Sequence, residues 1–311
     1  MKRSFRLNVF ISVCATCLSL ATSGCSLRRT AVDTTASILA EGDSVARGYF
    51  DWESAGVATP AGIIQFEGLH LISPENDDLT LMLVKAYMAY AYGWVMDSYE
   101  LAQFSGDFET AEHHKRRAFL MYSRARDLAL RVVARREPGI REAISLPPKE
   151  LAAYLKSKFT TDDLPPLFWL MMSWTSAINN SPNTEDLADM AELRVIAQWV
   201  IEQNPGYEDA GALVFLGGFE SSMPKAFGGD PAKAKAYFER ALELTGRKNH
   251  IVLINYAMLY AVNAPDRALF ISLMREIMEA PDQGTMFRMS NKVARRRAAR
   301  ALARVDELFY D

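Results

Sequence analysis

From about Asp33 to the C-terminus, apolar residues recur at intervals of three and four positions, and Pro, Gly and Asn interrupt the pattern repeatedly. This is the periodicity of amphipathic α-helices, and no stretch alternates with period two as a half-buried strand does. The pattern therefore predicts an all-α protein with essentially no sheet. The predicted helices lie near 33–50, 61–71, 79–103, 108–136, 147–157, 165–179, 184–203, 208–221, 231–245, 249–262, 265–279 and 286–308.

The predicted helices fall into pairs, in which a helix rich in small residues precedes an amphipathic helix. The clearest pair has Leu213, Leu216 and Gly217 on its first helix and Ala234, Phe238 and Ala241 on its second. This pattern resembles the tetratricopeptide (TPR) repeat, whose A and B helices stack into a superhelix. The repeats are degenerate, since Glu220 stands where the TPR pattern has Tyr. We predict stacked antiparallel helix pairs in a degenerate TPR-like superhelix.

Residues 1–25 have the features of a bacterial export signal. A basic stretch (2–6) precedes a 14-residue, mostly apolar segment (7–20), and small residues then lead directly to Cys25. Small residues before a cysteine resemble the lipobox of bacterial lipoproteins, in which the signal is removed and the cysteine is acylated. We predict lipidation at Cys25, with an ordinary signal peptide or an uncleaved anchor as the alternatives.

The cysteines agree with an exported lipoprotein. Cys14 and Cys17 form a C-x-x-C inside the apolar part of the signal, where a redox or zinc motif is not expected. No cysteine follows Cys25, so the mature chain has no disulfide and depends on packing. Ser26 is not the Asp that marks inner-membrane retention in bacterial sorting. We therefore expect an anchor in the outer membrane, facing the periplasm.

Composition fits one large helical domain. The chain has 311 residues, 50% of them hydrophobic, and a formal charge of −3. This excludes a disordered chain, and the lack of excess positive charge gives no indication of a nucleic-acid partner. We divide the chain into a lipoprotein signal peptide (1–24), an N-terminal tether (25–45) and a TPR-like helical domain (46–311).

The sequence contains no recognisable set of catalytic or metal-binding residues. The four histidines lie outside any H-E-x-x-H motif, and there is no G-x-S-x-G, P-loop or G-x-G-x-x-G. The pairs Asp77-Asp78 and Asp162-Asp163 precede predicted helices, where capping explains them. We predict a protein that is not an enzyme and that uses no cofactor and no metal.

The last predicted helix carries a dense run of basic residues opposite an apolar face. These residues are Lys292, Arg295, Arg296, Arg297, Arg300 and Arg304. Charged faces of amphipathic helices are usually solvated. We therefore expect these side chains to point into water rather than toward a membrane or a partner.

Aromatic residues recur on the predicted A helices, which line the concave surface in stacked TPR hairpins. They are Tyr87, Tyr90, Trp94, Trp169, Trp174, Phe215, Phe219, Tyr256 and Tyr260. Met223 and Phe227 add apolar side chains in a long predicted loop after one of these helices. Together these residues are the candidate groove or interface for an apolar ligand or a partner helix. Core packing between repeats is the alternative for each of them.

Several segments resemble the T component associated with tripartite ATP-independent periplasmic (TRAP) transporters. They include Ala86-Tyr87-x2-Tyr90-Ala91-Tyr92-Gly93, Asp163-Leu164-Pro165-Pro166-Leu167-Phe168-Trp169-Leu170, Phe227-Gly228-Gly229-Asp230, Phe238-Glu239-Arg240-Ala241-Leu242-Glu243-Leu244 and the tail from Met289 to Phe309. The similarity spans roughly residues 50–310, in the same order, behind a lipoprotein signal.

The resemblance implies an all-helical, TPR-like periplasmic lipoprotein that assembles with itself, as a trimer. It also implies an accessory role in solute uptake: the protein would dock a TRAP-type solute-binding protein and offer it a ligand through a pore or cleft. The resemblance fixes no binding residue. The alternative from a different class is a structural TPR scaffold of the cell envelope, without a small-molecule ligand.

Overall fold

The computed structural model describes residues 27–223 and 229–309, and α-helices dominate this part of the chain. No strand occurs among these residues, which confirms the predicted all-α fold. The predicted signal peptide, Cys25 and Phe227 lie outside the described residues. The α-helices of the described residues are α1 (27–41), α2 (Asp43–Gly48), α3 (Trp52–Ile72), α4 (Asp77–Tyr90), α5 (Met96–Ser105), α6 (Phe108–Arg136), α7 (Ile140–Ala143), α8 (Pro148–Lys158), α9 (Leu164–Asn180), α10 (Met190–Gln203), α11 (Tyr207–Ser222), α12 (Pro231–Thr245), α13 (His250–Asn255), α14 (Arg267–Glu279), α15 (Arg288–Ala303) and α16 (Val305–Leu308).

Local sequence signals set many of the helix boundaries. The side chain of Asp51 accepts hydrogen bonds from the backbone at the start of α3, and Asp107 does the same for α6. Asp230 caps α12 and Pro231 follows at its first position, where a missing N–H costs no hydrogen bond. Gly246 ends α12 with φ +55°, a left-handed conformation that glycine adopts without steric cost.

The best predicted repeat packs as its sequence suggested. Helices α11 and α12 lie against each other, and Ala234, Phe238 and Ala241 on α12 are fully buried. Gly217 on α11 leaves room for the Phe238 ring: a Cβ at residue 217 would lie 2.7 Å from Cε2 of that ring. The small residues of the TPR-like pattern therefore allow the close approach of the two helices.

Two π-helical segments interrupt the regular helices. Ala91–Val95 joins α4 to α5, and Tyr256–Ala261 follows α13. Each π segment adds a residue per turn and rotates the side chains that follow it. The aromatic neighbours at these segments stay in contact: Tyr90 lies 5.9 Å from Trp94 and Tyr256 lies 5.3 Å from Tyr260, between ring centroids.

Helix α15, near the C-terminus, brings the last helices into contact with early ones. It packs against α13 and α14 and also contacts α2 and α5 near the other end of the chain. The Asp97 carboxylate on α5 binds the guanidinium groups of Arg296 at 2.8 Å and Arg300 at 2.7 Å. Glu100 pairs with Arg297 at 3.1 Å and also with Arg300.

The prediction that the basic run on this helix faces water is therefore wrong for its central arginines. Arg297 and Arg300 have side chains only 13% and 14% exposed. Arg296 covers the ring of Trp52 at 3.9 Å, and Arg297 covers the ring of Tyr92 at 3.8 Å. Carboxylates and aromatic faces from α3 to α5 replace the water that these cations would otherwise bind.

The segment predicted as a tether is helical where the structure describes it. Val32 and Ala36 on α1 are buried in a small cluster with Leu79 on α4. The carboxylate of Asp33 accepts hydrogen bonds of 2.7 Å from Ser73 Oγ and from Asn76 Nδ2. These contacts fix α1 to the α3–α4 connection. Among residues 27–223 and 229–309, no helix has the length and apolar character needed to cross a membrane.

Candidate functional site

A large cavity of about 2370 Å³ lies between the helix pairs. Small-molecule sites in proteins are commonly about 300–1,000 Å³, so this space can hold a large ligand or more than one. Its wall is mostly apolar and is built mainly by α3, α4, α9, α10 and α11, with α2 and α15 also contributing. The wall residues that carry the argument below are Ala89 on α4, Trp169 and Met172 on α9, and Val214, Phe215 and Phe219 on α11.

Five of the predicted groove residues line this cavity. They are Trp94, Trp169, Phe215, Phe219 and Met223. They come from the π segment after α4, from α9, and from α11 and its C-terminal end, so the fold brings together residues that are far apart in the sequence. Trp94 also stacks on Trp52, with ring centroids 5.7 Å apart, and its Nε1 donates to the Trp52 carbonyl at 2.9 Å.

The remaining described residues of the predicted groove lie elsewhere. Tyr87 donates a hydrogen bond of 2.9 Å to Glu67, and Tyr90 stacks on Trp94. Trp174 is half-buried against the larger hydrophobic core.

Tyr256 is buried and stacks on Phe238 with centroids 5.0 Å apart, and Tyr260 lies against Tyr256. These two tyrosines fill the second core, between α11 and α15. They do not line the cavity.

A cluster of charged side chains lies in the wall of the cavity, and the sequence did not indicate it. This polar cluster consists of Asp43, Arg47, Lys85, Glu208 and Asp209. Arg47 on α2 binds Asp43 at 2.7 Å and Glu208 on α11 at 2.8 Å. Lys85 on α4 binds Glu208 at 3.1 Å and lies 5.5 Å from the centre of the Trp169 ring. No local motif marks these residues, because they meet only through the closure of the fold.

Burial and pairing alter the titration of this cluster. Burial alone would lower the pKa of Arg47, but hydrogen bonds and charge attraction from Glu208 and Asp43 raise it on balance. Burial raises the pKa of Asp209, against the attraction of Arg47 and a 3.0 Å hydrogen bond from Asn249. Burial also raises the pKa of Tyr207, beside Glu208, to about 12. The arginine is therefore a permanent cation, and it is already neutralised by carboxylates.

The backbone at this cluster is strained. Glu208, Asp209 and Ala210 have φ values of 42°, 57° and 62°, in the left-handed region that non-glycine residues rarely adopt. Such conformations persist only where the surrounding contacts hold them. Glu208 is paired with Arg47 and Lys85 at this turn, and Asp209 accepts a hydrogen bond from Asn249. Glu208 and Asp209, both in this strained turn, line the cavity.

Glu220, which replaces the Tyr of the TPR pattern, has a structural partner. Its side chain is buried and binds Arg194 on α10 at 2.7 Å. Arg194 lines the cavity and also packs over the ring of Phe219. The substitution therefore ties α11 to α10 through an ion pair where a regular repeat has an aromatic contact.

The described residues contain no group of three or more His, Cys, Asp or Glu side chains that could hold a metal ion. His70 is buried, and its Nδ1 lies 3.3 Å from Thr80 Oγ1. Burial lowers the pKa of His250.

The arrangement of the cavity suits the binding of a molecule with a large apolar part and a smaller polar part that reaches the polar cluster.

Comparison with known proteins gives two findings. The model of the family described as "TRAP transporter T-component" matches residues 50–309. An uncharacterized protein of Treponema pallidum (strain Nichols) is 26% identical over 314 residues, with 96% of this chain and 96% of that protein covered. The match to the family model includes every helix from α3 onward, and thus most of the cavity wall.

Proposed function

Since the chain belongs to the TRAP transporter T-component family, whose members are accessory components of TRAP transport systems, we propose that it is a periplasm-facing lipoprotein that docks a solute-binding protein. It holds an apolar solute in the cavity and passes it to that partner. Self-association, as the trimer that the family resemblance implies, completes the assembly.

The observation that carries this proposal is the size and apolar character of the cavity. Burial of apolar surface stabilises a bound molecule by about 25 cal/mol per Å², or about 0.8 kcal/mol for each methylene group. The cavity wall offers such apolar surface and does not require a ligand of one particular shape. Its apolar residues include Trp169, Met172, Val214, Phe215 and Phe219. The polar cluster then supplies the place where a polar end of the solute is hydrated or bound.

A bulky residue in the cavity is expected to block an apolar ligand. Ala89 on α4 lines the cavity and is open to it, so Ala89→Trp fills space without entering the core. We expect binding of the fluorescent probe N-phenyl-1-naphthylamine to weaken at least about tenfold, which corresponds to about 1.4 kcal/mol. Fluorescence titration of the purified protein measures this change.

Ala232→Trp is the matched control, because Ala232 is exposed on α12 and lies outside the cavity wall. It should leave probe binding unchanged. Equal affinities for both variants and the wild type would place the probe elsewhere. Absence of saturable binding to the wild type would favour the structural scaffold of the cell envelope instead.

The anchor is expected to depend on a single thiol. Cys25→Ala removes the atom that would carry the diacylglyceryl group, so the protein should be soluble or remain uncleaved, with no acyl mass on its N-terminal peptide. Two or more acyl chains hold a protein firmly on a membrane, whereas one holds it weakly. Membrane fractionation and peptide mass spectrometry give the result. Cys17→Ala is the control, and an unmodified Cys25 thiol in the wild type would contradict the lipoprotein assignment.

The partner is tested with the full-length protein in its own membranes. Cross-linking followed by mass spectrometry should recover a TRAP-type solute-binding protein. Recovery of only outer-membrane or peptidoglycan-associated proteins would instead support the scaffold.

A further inference from the structure

The charges of the polar cluster in the cavity wall do not cancel. The cluster contains two cations, Arg47 and Lys85, and three carboxylates, those of Asp43, Glu208 and Asp209. Arg47 lies 2.7 Å from Asp43 and 2.8 Å from Glu208, and Lys85 lies 3.1 Å from Glu208. The two cations therefore balance the carboxylates of Asp43 and Glu208, and the negative charge of Asp209 has no close counter-ion.

Asp209 also has a carboxylate oxygen that is free for a further partner. Its Oδ2 accepts a hydrogen bond of 3.0 Å from Asn249 and lies 3.9 Å from Nη1 of Arg47. Among the described residues, none donates a hydrogen bond to Oδ1. The side chain is 33% exposed and lines the cavity, so a molecule in the cavity can reach it.

A partly buried carboxylate without a close cation is costly, because it has lost water and gained little in exchange. The raised pKa of Asp209, which burial causes, agrees with this shortage. A cation supplied by a bound molecule would remove the cost.

The other charged residues in the described part of the wall balance each other. Arg194 binds the buried Glu220 at 2.7 Å. Lys156 and Glu202 are both exposed and have opposite charges. The charge of Asp209 is therefore the net charge of this part of the wall, and it favours a cation over an anion.

An apolar surface begins close to Asp209 and continues along α11. Val214, Phe215 and Phe219 of this helix line the cavity, and Trp169 of α9 lines it as well. The helix rises by roughly 12–15 Å between Asp209 and Phe219. An extended decyl chain has a similar length. The wall therefore offers a negative group at one end and apolar surface for a chain beyond it.

We propose that the cavity takes an amphiphile whose head is an ammonium group, bound by Asp209, and whose alkyl chain lies along α11. This inference rests on the proposed function, and it names the chemical class of the solute. The ammonium group donates a hydrogen bond to Oδ1 of Asp209, and the attraction of opposite charges strengthens that bond. An anionic amphiphile of the same length meets the unbalanced carboxylate and is repelled by it.

The test compares three ligands that share one alkyl chain and differ in the charge of the head. Decylamine is a cation at neutral pH, decanol is neutral and decanoate is an anion. Each displaces bound N-phenyl-1-naphthylamine from the purified protein, at concentrations below those at which it aggregates. We expect decylamine to act at a concentration at least about tenfold lower than decanoate does, with decanol between them.

Asp209→Asn removes the charge and keeps the shape of the side chain. Asparagine tolerates the left-handed backbone at this position, where φ is 57°. The variant should bind decylamine at least about tenfold more weakly and decanol as the wild type does, which shows that the cavity is intact. Asp127→Asn is the matched control, because Asp127 is exposed on α6 and lies outside the cavity wall. It should leave all three affinities unchanged.

Lys85→Met tests the inference with the opposite sign. The variant removes a cation and keeps an unbranched side chain beside Trp169. The cluster then carries one more unbalanced negative charge, so decylamine should bind about threefold more tightly or better. A damaged fold is not expected to produce a gain in affinity for one ligand of the three.

Three results would overturn the inference. Decanoate could displace the probe as readily as decylamine does, Asp209→Asn could keep the wild-type preference for decylamine, or Lys85→Met could lose it. Saturable binding of the probe in any of these cases leaves the proposed function standing. Failure of the wild type to bind the probe would contradict the proposed function and this inference together.

Discussion

Replacement of Asp97 with Ala is expected to lower the free energy of unfolding by about 3–5 kcal/mol. Its carboxylate is 3% exposed and holds both Arg296 and Arg300. Without Asp97, two guanidinium groups lose their buried counter-ion, and Glu100 can compensate for only part of this loss. Urea unfolding followed by circular dichroism measures the change, and faster proteolysis of α15 should accompany it.

Asp127→Ala is the control for this prediction. Asp127 pairs with Arg126 on the surface of α6, with side chains 51% and 34% exposed. Exposed ion pairs contribute about 0–1 kcal/mol because water screens them. Equal destabilisation by the two variants would show that the Asp97 cluster is an ordinary surface network and that closure by α15 depends on other contacts.

Phe238→Ala is expected to destabilise the protein by about 3–5 kcal/mol. The ring is fully buried, stacks on Tyr256 and lies directly above Gly217. Since the glycine has no side chain with which to fill the space, removal of the ring leaves a cavity between α11 and α12. The free energy of unfolding and the melting temperature both report this loss.

Phe108→Ala provides the comparison, because Phe108 is 68% exposed at the start of α6. Surface substitutions of this kind usually change stability by less than about 0.5 kcal/mol. If Phe238→Ala were equally mild, the repeat register that places Phe238 above Gly217 would be incorrect.

The helices could be predicted from the sequence because each one buries a face whose residues recur every three or four positions. The predicted helix boundaries were wrong where tertiary contacts outweigh the local conformational preference of the residues. α3 begins at Trp52 and continues through Pro60, although the proline suggested a helix start at residue 61. The cap by Asp51 and packing against α4 hold the helix together despite the hydrogen bond that Pro60 cannot donate.

The candidate site was only partly predictable. Aromatic residues on α9 and α11 could be placed on one face by helical periodicity, and Trp169, Phe215 and Phe219 do line the cavity. Periodicity also placed Tyr256 and Tyr260 on one face, and they do contact each other, but that face packs in the second core and not at the cavity. The pairing of Arg47 with Glu208 joins residues 161 positions apart and depends on a backbone that no simple pattern predicts.

The contact between α15 and α5 also bears on how the chain folds. An open array of helix pairs can nucleate at any repeat, add its neighbours in turn and fray from its ends. Here Arg296 and Asp97, 199 positions apart in the sequence, must meet before the last helix gains its partners. Contacts between such distant residues slow folding, because the loop must close first. Once formed, the same contact ties α15 to α5, so we expect the early and late helices of the described chain to unfold in a single cooperative transition.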